Sequence, residues 1–139
     1  MTDKHLIGRK IDMTTHCLKR IEKYREMDMG TFISNEDAMD IVAHNLFMAL
    51  QFMIDIGTRI IADDDLGDIS FLSDLAAIFE QKAVIPADYT PRLKSMFGLR
   101  NIIAHEYADI DYKIVYNIVR NSLQDIYLYL DYIIKYCRL

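Results

Sequence analysis

The chain has 139 residues, with 16 Lys and Arg against 21 Asp and Glu for a net charge of −5, and it is 52% hydrophobic. That size fits one domain, 1–139, and that hydrophobic share excludes disorder, while the negative charge argues against a protein that coats nucleic acid non-specifically and leaves room for a small, localised RNA site. Gly 5 plus Pro 2 gives 7 turn-favouring residues in 139, roughly 5% against a usual share of about 12%, a shortage that disfavours turn-rich β folds and predicts long helices.

Five helical segments follow. The first spans about Asp3 to Met27, with Ile7, Ile11, Thr14, Leu18 and Ile21 at helical spacing, Met13 and Cys17 widening that face, and Gly30 closing the region. Ser34, followed three residues later by Asp37, resembles a capping box and opens the second helix. Ala38, Ile41, Val42, Asn45, Ala49, Phe52, Met53, Ile56 and Ile60 extend its apolar stripe to about Ala62. The acidic run Asp63, Asp64, Asp65 and then Gly67 read as a solvated loop. A shorter third helix covers about Ser70 to Lys82, with Leu72, Leu75, Ala76 and Phe79 inward, and Pro86 ends it. Thr90 then caps a fourth helix, with Pro91 at its first position, running to about Ala104. A last long helix starts at Asp109 or Asp111 and runs to about Tyr136, with Ile114, Ile118, Ile126, Leu130 and Ile133 along it.

The predicted fold is all-α: an antiparallel bundle of four long helices plus one short helix. The first, second and last helices carry more than one apolar stripe, and the surplus predicts a second buried surface, most simply a homodimer interface. Two cysteines, Cys17 and Cys137, make neither a disulfide framework nor a zinc-finger spacing. The start MTDKHLIGRKIDM lacks the apolar core of a signal peptide, and no membrane span is expected, which predicts a cytoplasmic protein.

The most informative stretch runs from Gly98 to Tyr107. Leu93, Met96, Phe97 and Arg100 fall at i, i+3, i+4 and i+7, so Arg100 stands where the pattern asks for a core residue. A buried guanidinium must be paired or face a wet cleft. One reading gives it a structural carboxylate partner such as Asp40 or Asp55. His105 lies five residues on, about 140° around a regular helix, whereas Tyr107 returns to nearly the same face as Arg100. Convergence therefore needs a helix end near Ala104 to His105, or a second copy of the motif across a dimer axis. A lone His at a helix end is commonly a capping or surface residue. Together the residues offer more: His moves a proton near neutral pH, and Arg grips a phosphate and stabilises growing negative charge. Those are the two roles that RNA cleavage without a metal requires. Asn101 either orients the cleft or caps a helix, and Glu106 either supports the site or points to solvent.

Arg100-Asn-Ile-Ile-Ala-His105-Glu-Tyr107 resembles the Arg-x4-His-x-Tyr motif of HepT toxins, members of the HEPN superfamily of ribonucleases. Residues Ala49 to Ala62, ALQFMIDIGTRIIA, resemble the family's second helix, and Met96 to Asp111 also fits. The resemblance implies an all-α dimer whose two motifs face each other in a cleft. It implies a toxin that cleaves tRNA or mRNA as a metal-independent RNase without a cofactor. It also implies a partner, an MNT-type minimal nucleotidyltransferase antitoxin that transfers AMP from ATP to the motif tyrosine, here Tyr107. An added nucleotide two residues from His105 places bulk and negative charge where an RNA phosphate must bind.

Two other readings stand beside this one. In the first, the chain is a non-catalytic HEPN-like binding subunit of a nucleotidyltransferase, with Arg100 and His105 holding a phosphate. In the second, it is a plain helical dimerisation module. Lys94, Arg92 and the Lys19 to Arg25 cluster are candidates for a positive rim, or simply solvated helix faces. His5, His16, His44 and Cys17 lack metal-ligand spacing. The tyrosines of the last helix, Tyr112, Tyr116, Tyr127, Tyr129, Tyr132 and Tyr136, are expected mainly in the core and interface, with base stacking the alternative.

Overall fold

Asp3, Asp28, Asn35 and Asp111 each offer a side-chain oxygen to a backbone N–H two or three residues on, and each opens a helix. These caps begin four of the seven helices found among the described residues of this computed structural model, which describes residues 2–139 with the side chain of Tyr107 outside that description. The helices are α1 (Lys4–Glu22), α2 (Met29–Ile33), α3 (Glu36–Asp63), α4 (Leu72–Gln81), α5 (Thr90–His105), α6 (Tyr112–Asn121) and α7 (Leu123–Cys137), with a single 3-10 turn at Tyr107–Asp109.

α3 is the central helix. It touches α1, α2, α4 and α5, and it buries apolar side chains on nearly every side, from Val42 and Leu46 to Met53, Ile56 and Ile60. By length and hydropathy it is apolar enough to cross a membrane, but 61% of that stretch is buried, as befits a core helix. The backbone N–H of Asp3 reaches Asp63 and Lys10 reaches Asp55, so α1 runs antiparallel to α3. Tyr129 bonds Met53 and Tyr136 bonds Asp64, so α7 runs alongside α3 in the same direction. α5 packs on α3, α4 and α7 and completes the bundle.

The all-α bundle agrees with the reading of the sequence, and several boundaries correct it. The first helix stops at Glu22, and the chain turns before the separate short helix α2, which contains Gly30. The cap of α3 is Asn35, which accepts from the N–H of Ala38 at 3.0 Å, while the Ser34 hydroxyl donates to the Gly30 carbonyl at 2.7 Å. Thr90 is the first residue of α5 rather than its cap; its hydroxyl donates to the Pro86 carbonyl.

The largest correction lies at the end of the chain. The predicted single helix is two, broken at Ser122, whose backbone leaves helical geometry at φ −126° and ψ 5°. The buried positions Tyr116, Val119, Leu123, Ile126, Leu130, Ile133 and Cys137 keep a steps-of-three-and-four pattern straight across the break, so periodicity alone does not reveal it. Within α6 the inward face is Val115, Tyr116 and Val119, and Ile114 is 53% exposed.

Candidate active site

α5 buries Leu93, Met96, Phe97 and Ile103 against the bundle. Arg100 continues that stripe, is half-buried, and directs its guanidinium onto α3. There it meets two residues one helical turn apart. Its carbon lies 5.8 Å from the ring centroid of Phe47, a cation–π contact. Gln51 Oε1 accepts from both Arg100 Nε at 3.0 Å and Arg100 Nη2 at 2.8 Å. On its own helix, Asn101 Oδ1 accepts from Arg100 Nη1 at 2.9 Å.

The predicted carboxylate partner is therefore corrected. Neither Asp40 nor Asp55 touches Arg100; both groups that hold it are neutral amides. Asp55 stands one step back. It accepts from Gln51 Nε2 at 2.9 Å and pairs with Lys10 of α1 at 3.7 Å. A continuous chain thus runs Lys10, Asp55, Gln51, Arg100, Asn101 across three helices. Within it the Asp55 charge is met by Lys10, whereas the Arg100 charge touches no described carboxylate. The guanidinium charge is thus not neutralised by contact with any described carboxylate, in a chain whose net charge is −5.

Asn101 orients the guanidinium and caps no helix. His105 is the last residue of α5 and is exposed, with no described side chain hydrogen-bonded to it. The helix breaks only after it, at Glu106, where φ is −118° and ψ is 29°. Arg100 and His105 thus sit on one unbroken helix, about 140° apart around the axis and about 7.5 Å along it. His105 shares its face with Gly98, seven residues earlier, and with Ile102, which is 52% exposed. Glu106 is exposed and forms the C-terminal cap position of α5. The expectation for the Tyr107 side chain lies outside the described residues.

Sequence reasoning missed Phe47 and Gln51 as members of the site. The signal was present: in Ala49–Ile56, Gln51 and Asp55 are the polar residues of an otherwise apolar run, spaced i, i+4 on one face.

Several peripheral candidates have structural employment. Arg92 pairs with Asp125 at 3.2 Å, and Arg25 and Arg120 donate to each other's backbone carbonyls, which removes Arg92 and Arg25 from a free positive rim. Asp63 pairs with Arg59 at 2.7 Å, and Asp64 accepts from the Tyr136 hydroxyl at 2.6 Å, so the acidic run is partly built into the fold. That bond holds the Asp64 carboxyl below its ordinary range, and burial pushes Tyr136 up to about 12. Tyr129 is wholly buried, and its hydroxyl donates to the Met53 carbonyl at 2.8 Å. Among the described residues, no three His, Cys, Asp or Glu side chains gather into a metal-binding group.

An all-α bundle that carries an Arg-x4-His pair on the last turns of a core-packed helix defines a HEPN-like domain. The chain belongs to the ribonuclease HepT-like family, whose model matches residues 14–133. It is 30% identical over 128 residues to the mRNA nuclease HepT of Shewanella oneidensis, spanning 92% of this chain and 96% of that protein. The structure is similar to that of the tri-AMPylated Shewanella oneidensis HEPN toxin in complex with an MNT antitoxin. The TM-score is 0.83 at 31% identity, over 98% of this chain and 99% of that one. The cytosolic protein YutE of Bacillus subtilis, of unknown function, matches with a TM-score of 0.86 over 99% of this chain and 92% of its own. At 15% identity that likeness speaks for the fold alone.

Proposed function

We propose that this protein is the toxin of a toxin–antitoxin pair, an endoribonuclease that cleaves cellular tRNA or mRNA without a metal, with Arg100 and His105 as its catalytic residues. The observation that carries the reading is the seat of Arg100. A guanidinium has five N–H donors; Nε, Nη1 and Nη2 each use one on Gln51 or Asn101. Among the described residues, one N–H on each terminal nitrogen has no acceptor, and no carboxylate contacts the guanidinium. Those N–H groups and that charge are available to the oxygens of a phosphate.

The chemistry follows from these groups. His105, as a neutral imidazole, removes the proton from a ribose 2′-hydroxyl. The 2′ oxygen attacks the adjacent phosphorus, and Arg100 holds the non-bridging oxygens as negative charge grows on them. The bond from phosphorus to the 5′ oxygen breaks, and that oxygen takes a proton from an imidazolium. The products are a 2′,3′-cyclic phosphate and a 5′-hydroxyl end.

The working unit in this reading is a homodimer. The angular separation of Arg100 and His105 on one helix is bridged when a second copy brings its own motif across a shared cleft. Partly exposed Phe47 and Met48 on α3 and Met13 on α1, 41% exposed, offer apolar surface for that contact. The partner is an MNT-type nucleotidyltransferase antitoxin that silences the toxin by transferring AMP to Tyr107. The tri-AMPylated state of the similar Shewanella toxin supports this step. With RNA as substrate, the protein acts in the cytoplasm.

The test is cleavage of RNA by purified protein in EDTA, comparing wild type with His105→Ala. Cleavage by wild type alone supports the reading. No cleavage by either, with both folded, dimeric and free of AMP by intact mass, overturns it in favour of a binding subunit.

A further inference from the structure

We propose that Gln51 is a positioning residue for Arg100, locked in orientation by Asp55, and that its neutrality is what leaves the guanidinium charge available to a substrate phosphate. The inference rests on the ribonuclease reading above and assigns the part played by α3 in the same site.

The argument starts from the chemistry of an amide. Gln51 has one end that accepts and one that donates, and each faces a group able to take only the complementary part. An ionised Asp55 carboxylate only accepts, and it receives Gln51 Nε2 at 2.9 Å. A guanidinium only donates, and Arg100 gives two N–H groups to Gln51 Oε1 at 3.0 and 2.8 Å. A flipped amide would set NH2 against N–H and oxygen against carboxylate, so the orientation is forced. Lys10 fixes the far end by pairing with Asp55 at 3.7 Å while its ammonium lies 5.3 Å from the Phe52 ring centroid. The i, i+4 spacing of Phe47, Gln51 and Asp55 places ring, amide and carboxylate on one face of α3. Arg100 is thereby held by Gln51 and the Phe47 ring, and its remaining N–H groups have no acceptor among the described residues.

A carboxylate at position 51 offers the same oxygen to the same two N–H groups. Its second oxygen would face the Asp55 carboxylate where Nε2 stood, so Gln51→Glu is made together with Asp55→Asn, whose amide can donate to that oxygen; the acceptor for Arg100 is then kept, but the charge is spent on an internal ion pair that a phosphate must then displace. Charge and geometry can therefore be separated by two side chains of nearly equal size, Gln51→Glu made with Asp55→Asn, and Gln51→Met. The methionine removes the acceptor; the glutamate keeps it and adds a charge.

The experiment measures kcat and KM for RNA cleavage in EDTA for wild type, Gln51→Met, Asp55→Asn, Gln51→Glu with Asp55→Asn, and His105→Ala, with a thermal melt of each. RNA binding against salt is measured in the His105→Ala background, where RNA is not cut. Both Gln51 variants are expected to lose about 100-fold in kcat/KM against their parent proteins, the scale of a misplaced or masked catalytic group. Gln51→Glu with Asp55→Asn is expected to melt at or above Asp55→Asn alone while losing activity. Its slope of log affinity against log salt is expected to shrink by about 0.7, the value of one phosphate contact on a single strand.

A purely structural role for Gln51 makes the opposite prediction, with Gln51→Glu on Asp55→Asn cleaving as well as Asp55→Asn alone and better than Gln51→Met. That result overturns the proposal, as does an unchanged salt slope. If wild type itself fails to cleave, the ribonuclease reading falls and this inference falls with it. If wild type cleaves, His105→Ala does not, and both Gln51 variants match their parent proteins, only the inference falls.

Discussion

The hydroxyl of Tyr129 occupies the space that a side chain on Gly57 would need: a Cβ built there lies 2.9 Å from the tyrosine oxygen and 2.8 Å from a methyl of Leu75. The same hydroxyl donates to the Met53 carbonyl, one turn earlier on α3, at 2.8 Å. Gly57 thus lets α7 and α4 approach the central helix, and a buried phenol finds its partner because the glycine stands aside. Gly57→Ala is expected to destabilise the fold by about 1–3 kcal/mol through overpacking, despite the better helix propensity of alanine. Tyr129→Phe is expected to cost about 1 kcal/mol through the lost hydrogen bond. Urea melts of the three proteins check both values.

Arg100 is held by neutral groups at a half-exposed position, so its removal leaves no buried charge stranded. Arg100→Ala is expected to cost about 1 kcal/mol of stability, well below the roughly 3–5 kcal/mol of a broken buried ion pair. RNA cleavage is expected to vanish all the same. Arg100→Lys keeps the charge but cannot reproduce a planar fork that bonds Gln51 and Asn101 and still faces a phosphate. It is expected to remain inactive within assay error, with a melting temperature near wild type. A stability loss on the ion-pair scale would instead place a carboxylate on Arg100.

Much of this arrangement is legible in the sequence, and what is not has physical causes. The stripes of α1 and α3 are readable because α1 buries one face throughout and α3, the central helix, buries apolar side chains along its whole length. The position of Arg100 in the core stripe of α5, and its need for a partner, follow from spacing alone. The identity of the partner does not, because periodicity gives a face and not a neighbour on another helix. A charge argument names carboxylates first, and Asp55 was within one hydrogen bond of the answer. The break at Ser122 escapes because the buried pattern continues across it. The outward turn of Ile114 escapes because isoleucine ranks above the tyrosine and valine that α6 buries. The independent helix α2 escapes because a five-residue helix, Met29–Ile33, is too short to show a period.

Gly98 lies in the interior of α5, is exposed, and a Cβ added to it meets nothing within 4 Å. Gly98→Ala is therefore expected to stabilise the isolated chain by up to about 1 kcal/mol, the propensity gain of alanine over glycine in a helix. A differential scanning measurement checks the sign. A glycine tolerated at that cost, on the same face as His105 and Ile102, also bears on the site. If a second chain or RNA backbone passes close by, Gly98→Ala is expected to reduce cleavage while raising the melting temperature. Equal activity would show that nothing approaches this face closely.

Alkaline pH is expected to unfold the protein through its buried phenols. Burial raises the ionisation of Tyr89 and Tyr129 well above the ordinary range, and burial with the bond to Asp64 pushes Tyr136 up to about 12. In the unfolded chain each titrates near about 10. Above that pH the unfolded state gives up protons that the folded state keeps, so the unfolding free energy falls as pH rises. The stabilising difference is fully present below about pH 10 and is lost progressively up to the folded-state values. Denaturant midpoints measured from pH 8 to 11.5 are expected to hold steady to about 10 and then decline. Tyr136→Phe is expected to flatten that decline, because one of the shifted groups is gone. It also removes the donor that holds the Asp64 carboxyl down, so its own stability deficit is expected above the ordinary carboxylate range and to shrink as pH falls through the lowered Asp64 value. A decline that began well below pH 10, or one unchanged by Tyr136→Phe, would assign the alkaline transition to other groups.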